Sequence, residues 1–436
     1  MGRAPAFFSP PPRGILGSAK MSDPLRRLSL FDAVNISLGS IIGAGIFVIL
    51  GAAAAVSGPA LIASVLVAAL VSLLTGLAAA ELSRMYPRSG GVYVFARETL
   101  SDFPGFLVGW VWLFSNLVAG ATVAVGFGHY LSHFFPGLPT GAGAACAVSG
   151  AVFVHLLGAK ESSRLNNALV LFKIAILLFF STVAFLHFKT ASFRPFLPFG
   201  LRGVWAGAAT IFFAYAGFAR VAIVADEIED PRRNVPRATL WSILISTGLY
   251  LLVAVAAVGG AGAGTLAGSG SPLADALGVM GLAFGAGLVA LGGLAASGTV
   301  AMASVLGVSR LAEVMAREGE LPAAFAATSR RTGAPRNAIV LGGAIMMALV
   351  FLSDLPHIAY ISSFSLLLYY AALNISGLKA FRGRLRVVAG LGLASCRTVA
   401  LAAPRTVAPS MTVAPSMTVA PSSTVEGACF GETCLV

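Results

Sequence analysis

Ten long apolar segments constrain this sequence more than any other feature. Each is close to the roughly 20 residues that an α-helix needs to cross the hydrocarbon core of a bilayer. They span residues 34–56, 59–80, 105–130, 141–158, 166–187, 203–225, 238–260, 277–307, 338–353 and 358–378. The segments are too long and too continuously apolar for the alternating pattern of a membrane β-barrel strand. The sequence therefore predicts an all-α polytopic membrane protein with about ten transmembrane helices.

The distribution of basic residues predicts how these helices are oriented. The chain carries a formal net charge of +12 at pH 7. With the N-terminus in the cytoplasm, 22 of the 29 lysines and arginines fall in cytoplasmic segments, as the positive-inside rule requires. We therefore predict a multi-pass protein of the cell membrane. Its partners include the lipid bilayer, and the basic excess does not require nucleic acid.

The two ends of the chain differ in composition from its middle. Residues 1–28 are basic and rich in proline, which predicts a disordered N-terminal tail. Residues 387–436 contain repeats of the unit TVAP, which predicts a low-complexity, disordered C-terminal tail. The four cysteines and five histidines have no spacing typical of metal ligands, so we predict no metal and no cofactor.

The ten predicted spans divide into two halves of five. Because each half has an odd number of spans, the second half enters the membrane from the side opposite to the first. This topology is compatible with an inverted repeat, which would carry equivalent interruptions in equivalent helices. The predicted boundaries are 29–187 for the first repeat, 188–202 for an extracellular linker and 203–386 for the second repeat.

Glycines interrupt the first span of each half at matching positions. Residues 39–47 read GSIIGAGIF, and residues 212–220 read FFAYAGFAR. Each glycine inside a helix costs roughly 1 kcal/mol relative to alanine, so these glycines need a reason. One reason is close helix packing through small residues. The correspondence favours the other, which is a broken helix whose free N–H and C=O groups bind the two ends of a zwitterion.

Five motifs, in this order, resemble those of the amino acid-polyamine-organocation (APC) family of permeases. They are GSIIGAGIF, AELSRMYPRSGGVYVFARETL (80–100), GAKESSRLNNALVLFKI (158–174), FFAYAGFARVAIVADEIEDPRRNVPRA (212–238) and GVSRLAEVMAREGELPAAFA (307–326). The resemblance extends from about Leu28 to Phe381 and is to the proton-coupled branch that is similar to cationic amino acid transporters. It implies ten core helices in two inverted five-helix repeats, and secondary transport of amino acids by alternating access. Many members of the family carry twelve helices.

The resemblance also implies a substrate site at the two interruptions. Ile42 would lie at the bend of the first span, and the backbone of Gly43, Ala44 and Gly45 would hold the substrate carboxylate. The carbonyl groups that would face the α-amino group are those of Phe212, Phe213 and Ala216. Phe213 matches the position of an aromatic gate in relatives, whereas the residues alone favour packing for such a run.

Lys173 is the only charged residue in the fifth span, within NNALVLFKIAILLFF. A charge near the bilayer centre costs at least about 2.5–3.5 kcal/mol, so it needs a partner, a function or a route to the interface by snorkelling. The functional interpretation is that Lys173 exchanges a proton during transport. The resemblance implies that its ammonium occupies the place of a sodium ion between helices 1, 5 and 8. Ser297 or Ser304 would supply oxygen ligands.

Arg220 marks a departure from the family pattern. Many relatives have a glutamate after the Gly-aromatic pair of helix 6, where this chain has Ala219 followed by Arg220. One expectation is that Arg220 pairs with Asp226 or Glu227 near the inner surface. The other is a role as an inner gate or in substrate selectivity. Asn116 in the third span is either a side-chain contact of the substrate or a packed polar residue.

We therefore predict a secondary active transporter of amino acids, coupled to protons, and not an enzyme. A second hypothesis is a non-transporting amino-acid sensor or a degenerate, truncated permease subunit, which the missing glutamate motivates. An integral-membrane enzyme is a weaker third hypothesis, because the sequence contains no recognisable catalytic constellation.

Overall fold

The computed structural model describes residues 28–402, except residues 44, 136, 216, 268, 270, 330, 353 and 354. This part of the chain contains fifteen α-helices and no β-strand. The helices are α1 (Leu30–Ile41), α2 (Leu50–Ser57), α3 (Leu61–Met85), α4 (Val92–Thr99), α5 (Asp102–Phe134), α6 (Thr140–Leu157), α7 (Ala159–Leu186), α8 (Gly200–Phe212), α9 (Pro231–Ala261), α10 (Ala263–Leu266), α11 (Pro272–Val279), α12 (Ala283–Arg317), α13 (Arg336–Leu352), α14 (Leu355–Ala380) and α15 (Arg384–Ala402).

Helices are present at all ten predicted spans. Seven helical segments of the described chain are long and apolar enough to cross a membrane, and the longest of them covers Leu50–Met85. The all-α polytopic fold is therefore confirmed. The boundaries of the two repeats and of the linker stay predictions.

The first span is broken where its glycines lie. Helix α1 ends at Ile41, and Ile42 leaves the helical region with φ −77° and ψ 67°. The N–H of Gly43 donates to the carbonyl of Ile41 at 2.8 Å instead of to that of Gly39, four residues back. A π-helical turn over Gly45–Ile49 then leads into α2.

The sixth span is broken at the corresponding place in the second half. Helix α8 ends at Phe212, and a 3₁₀ turn follows over Phe213–Tyr215. Gly217 is not helical, and a second 3₁₀ segment over Phe218–Glu227 completes the span. The two breaks are the feature that the glycine patterns predict.

The broken spans lie at the centre of the helix arrangement. Helix α1 packs against α7, α9 and α12, and also against the 3₁₀ segment that ends the sixth span. Helix α12 packs in turn against α5 and α7, and α9 packs against α3. Side chains from α7, α9 and α12 therefore reach the breaks.

The C-terminal tail begins later than the sequence predicts. Residues 387–402, expected to be disordered, belong to α15, which packs against α14, α3 and α8. The reason is that this segment is mostly apolar and has no proline before Pro404, so it can bury a face. Ala389 and Cys396 are buried, and Cys396 contacts Thr75 at 3.7 Å. Residues 1–27 and 403–436, which carry the rest of both predicted tails, lie outside the described residues.

Candidate functional site

Glycines at the two breaks allow the broken spans to touch each other. A side chain at Gly45 would place its Cβ 2.7 Å from the Cβ of Ala214, and one at Gly217 would lie 2.8 Å from the backbone N of Ile41. Real Cβ atoms do not approach other atoms so closely, so any larger residue would push the spans apart. Gly43 lies in the same way against Val300 of α12. These glycines therefore interrupt the helices and also allow the two broken spans to pack closely.

Tyr250 of α9 connects the two breaks. Its hydroxyl group lies 2.6 Å from the carbonyl oxygen of Ile41 and 3.3 Å from that of Ala214. Both carbonyls lie at helix interruptions, where the regular i to i+4 bonds are lost, and a buried carbonyl needs a donor. Tyr250 was not among the residues predicted from the sequence. The available signal was a tyrosine inside an apolar span, because a buried phenolic hydroxyl usually finds a partner.

Lys173 of α7 binds a second carbonyl of the first break, that of Gly39, to which the N–H of Gly43 does not donate. Its Nζ atom donates to the carbonyl oxygen of Gly39 at 3.0 Å and to Oγ1 of Thr299 at 2.7 Å. The hydroxyl of Thr299 donates to the carbonyl of Ala296, so its oxygen is free to accept from the ammonium. Lys173 is fully buried, which rules out snorkelling. The side chain therefore ties α7 to both α1 and α12.

The predicted oxygen ligands of Lys173 were the wrong residues of α12. The described hydrogen bonds of Lys173 involve neither Ser297 nor Ser304, whereas Thr299 accepts one. Within the described part of the chain, the hydroxyl of buried Ser297 has no hydrogen-bond partner. The hydroxyl of Ser304 accepts a long hydrogen bond from Arg220 at 3.5 Å. Helical spacing alone could not distinguish these three hydroxyl groups.

Those predicted substrate residues that the structure describes lie at the two breaks. Ile42 and Gly43 form the bend after α1, and Gly45 begins the π-helical turn. Phe212 ends α8, and its ring packs edge-on against Tyr370 of α14, with 5.9 Å between the centroids. Ala44, Ala216 and the side chain of Phe213 lie outside the described part of the chain.

Arg220 does not pair with the acids that follow it in sequence. Its guanidinium donates to Oδ1 of Asn116 in α5 at 2.6 Å and lies 6.0 Å above the ring of Trp112. Glu227 instead forms an ion pair with Arg310 of α12 at 2.5 Å. The expected pairing of Arg220 was therefore wrong, because Arg220 faces α5 and α12 rather than the end of its own segment.

On the side where α1 begins, hydrogen bonds and an ion pair join the start of the first span to α7 and join the end of the sixth span to its neighbours. The backbone of Leu28 pairs with Glu227 and Glu229, which follow the sixth span. Asp32 of α1 accepts from Ser163 at 2.9 Å and from Asn167 at 2.5 Å, both in α7. We call these bonds, together with the Arg310–Glu227 pair, the closing network. These bonds hold α1, the first half of the broken first span, against α7 and against the end of the sixth span.

The sequence model of the family described as amino acid permease matches residues 28–390. That range includes both breaks, Lys173, Tyr250 and Arg220. This chain belongs to the amino acid permease family. Members of this family are transporters rather than enzymes, and the long apolar helices of this permease make it a multi-pass membrane protein.

Relatives of this permease match it over most of its length. An uncharacterised transporter of Mycobacterium tuberculosis is 36% identical over 387 residues, which cover 87% of this chain and 86% of the relative. A methylthioribose transporter of Bacillus subtilis is 33% identical over 389 residues, which cover 85% and 84%. A branched-chain amino acid permease of Bacillus subtilis is 32% identical over 363 residues, which cover 78% of each chain.

Proposed function

We propose that this permease is a secondary active transporter that moves amino acids by alternating access and couples their movement to protons. The family supports the amino-acid part of the proposal, as does the branched-chain amino acid permease among the relatives. The proton part rests on Lys173. The methylthioribose transporter is a reason to test the substrate directly.

The substrate would bind at the two breaks. Backbone N–H groups from Gly43 to Gly45 would hold the carboxylate, because N–H groups at a helix start and the helix dipole both favour an anion there. The N–H of Gly43 would exchange its bond to the carbonyl of Ile41 for one to the substrate. Carbonyl groups of Phe212, Phe213 and Ala216 would accept from the α-ammonium. The close approach of Gly45 to Ala214 supports this arrangement, since it brings the two sets of backbone groups side by side.

The hydrogen bonds of Lys173 are the observation that carries proton coupling. A protonated Lys173 donates charge-assisted bonds to Gly39 and Thr299 and so links α1 to α12. When the ammonium releases its proton, a neutral amine with two N–H groups remains, and its bonds to both oxygens are weaker. Helix α1 would then move more freely relative to α12. Proton release at Lys173 would thus accompany opening of the site.

The orientation of the helices is also a proposal. If the N-terminus is cytoplasmic in the cell membrane, as the basic residues predict, the closing network lies on the cytoplasmic side. The present structure is then closed toward the cytoplasm. Opening would require separation of Arg310 from Glu227 and of Leu28 from the segment after the sixth span.

Uptake into proteoliposomes tests the proposal. A mixture of labelled amino acids is supplied in sodium-free buffer, with and without an inward proton gradient. We expect accumulation that the gradient stimulates, that a protonophore abolishes and that Lys173→Met removes. Lys189→Met, which changes an exposed lysine, is the matched control and should transport normally.

Two outcomes would contradict the proposal. Gradient-driven accumulation that persists in Lys173→Met would exclude Lys173 as the coupling residue. Binding of amino acids without accumulation under any gradient would instead support the alternative function, an amino-acid sensor or a degenerate subunit.

A further inference from the structure

Arg220 is a cation in the protein interior whose observed polar partners are neutral. Its two nitrogen atoms Nη1 and Nη2 contact the hydroxyl of Ser304 and the amide oxygen of Asn116. Among the residues whose side chains the structure describes, no aspartate or glutamate lies within ion-pair distance of Arg220. By contrast, Arg97 and Arg310 each contact two or more acids. A guanidinium has five N–H donors, so Arg220 retains donors for a further acceptor.

The cost of this arrangement indicates that the partner of Arg220 arrives from outside the described chain. Removing a charge from water costs several kcal/mol unless an opposite charge accompanies it. Asn116 and the ring of Trp112 reduce that cost but supply no negative charge. Part of the surface of Arg220 stays accessible, although its neighbours Trp112, Asn116 and Ser304 are buried. Arg220 is thus the least buried residue of this group.

The position of Arg220 places it within reach of a substrate at the first break. Val300 of α12 lies against Gly43, where the substrate carboxylate would bind. Ser304, which contacts Arg220, lies one turn further along the same helix, about 6 Å away. Arg220 itself follows Gly217 by three residues, and Gly217 lies against Ser40 and Ile41. A short amino-acid side chain spans such a separation.

We propose that Arg220 binds a negatively charged group on the substrate side chain, so that this permease takes acidic amino acids. The proposal rests on the proposed function, because it extends the same substrate site. A carboxylate accepts two parallel N–H bonds from a guanidinium and supplies the missing charge. A basic side chain would meet the guanidinium with like charge and would be excluded.

Competition between matched substrates tests the proposal. Labelled L-glutamate is the probe, and its binding to the purified protein is measured by equilibrium dialysis as well as by uptake into proteoliposomes. Unlabelled L-aspartate and L-glutamate should compete at concentrations about 10- to 100-fold lower than L-glutamine, which has nearly the same shape and no charge. L-Lysine should not compete. Preference for L-glutamine or L-lysine over L-glutamate would overturn the proposal.

Substitutions of Arg220 test whether this residue causes the preference for L-glutamate over L-glutamine. Arg220→Gln should abolish the preference for L-glutamate over L-glutamine while L-glutamine still binds, and Arg220→Lys should keep part of it. Arg202→Gln, which changes an exposed arginine in α8, is the control and should behave as the parent protein. An unchanged glutamate-to-glutamine ratio in Arg220→Gln would overturn the proposal. If Arg220→Gln fails to fold, the ratio in Arg220→Lys and the competition profile of the parent protein decide.

The binding and uptake measurements distinguish failure of this proposal from failure of the proposed function. If neutral amino acids are accumulated and L-glutamate neither binds nor competes, transport is supported and the assignment of Arg220 is wrong. If L-glutamate binds with the expected preference but no amino acid is accumulated, the assignment of Arg220 stands and transport fails.

Discussion

The hydroxyl group of Tyr250 lies 2.6 Å from the carbonyl oxygen of Ile41, at the end of the first half of the broken first span. The same hydroxyl lies 3.3 Å from the carbonyl of Ala214 in the broken sixth span. One side chain of α9 thus contacts both breaks. Because the carbonyls are buried, the stability of the breaks depends on this donor.

Removal of that hydroxyl should destabilise the protein. Tyr250→Phe leaves the carbonyl of Ala214 without this donor and leaves the carbonyl of Ile41 with the N–H of Gly43 alone. Loss of a donor to a buried polar group costs about 1–3 kcal/mol. We expect a lower Tm in detergent. Tyr215→Phe is the matched control, because its hydroxyl donates only to Thr247, whose own hydroxyl already donates to Ile243. Equal Tm values for the two variants would show that Tyr250 does not support the breaks.

The contact between Lys173 and Thr299 should be needed for coupling. Thr299→Val keeps the shape of the side chain and removes the oxygen that accepts from Nζ, so gradient-driven uptake should fall by about tenfold or more. Thr299→Ser keeps the oxygen and should keep most of the uptake. Ser297→Ala should have little effect, because the hydroxyl of Ser297 has no partner among the described residues. Normal coupling in Thr299→Val would argue against the proposed role of this contact.

The glycine at the second break should not tolerate a methyl group. In Gly217→Ala the new Cβ would lie 2.8 Å from the backbone N of Ile41, so the two broken spans must separate. Overpacking of this kind costs about 1–3 kcal/mol, and we expect a lower Tm and weaker substrate binding. At Gly248 of α9 an added Cβ has no neighbour within 4 Å, so Gly248→Ala should not lower the Tm. A Tm for Gly217→Ala that matches that of Gly248→Ala would contradict the close approach.

The stability of the protein should depend on pH through Glu320, which follows α12. Burial raises the pKa of its carboxyl group above the ordinary value of 4.5, against the opposing effects of Tyr93 and Arg97. The folded protein then holds a proton that the unfolded chain has lost, so this contribution to stability declines as the pH rises from about 4.5 through the raised pKa. Glu320→Gln should remove that part of the pH dependence.

A second variant tests the sign of this dependence. Tyr93 donates a hydrogen bond to Glu320 at 2.9 Å and thereby lowers the pKa of the carboxyl group. In Tyr93→Phe the decline should therefore move to higher pH. Tm measurements between pH 4 and pH 8 would follow both variants. A decline that moves to lower pH in Tyr93→Phe would contradict the assignment to Glu320.

Several features of this permease could be predicted because they depend on residues close together in sequence. Helical spans follow from the length of each apolar run, and the breaks follow from the glycines of GSIIGAGIF and FFAYAGFAR. The family follows from short motifs in a fixed order. The burial of Lys173 within a helical span follows from the apolar residues on both sides of it in the sequence. Among these local features the start of the C-terminal tail was misplaced, where an apolar segment precedes the repeats.

The partners of the buried polar groups were decided by the tertiary structure. Lys173 and Thr299 are separated by 126 residues, Tyr250 and Ile41 by 209, and Arg220 and Asn116 by 104. Local spacing favoured Asp226 or Glu227 for Arg220, and it pointed to Ser297 or Ser304 rather than to Thr299 for Lys173. A sequence determines which groups lose water when the helices form. Which oxygen meets which nitrogen depends on how those helices rotate and pack against one another, and that is a property of the whole fold.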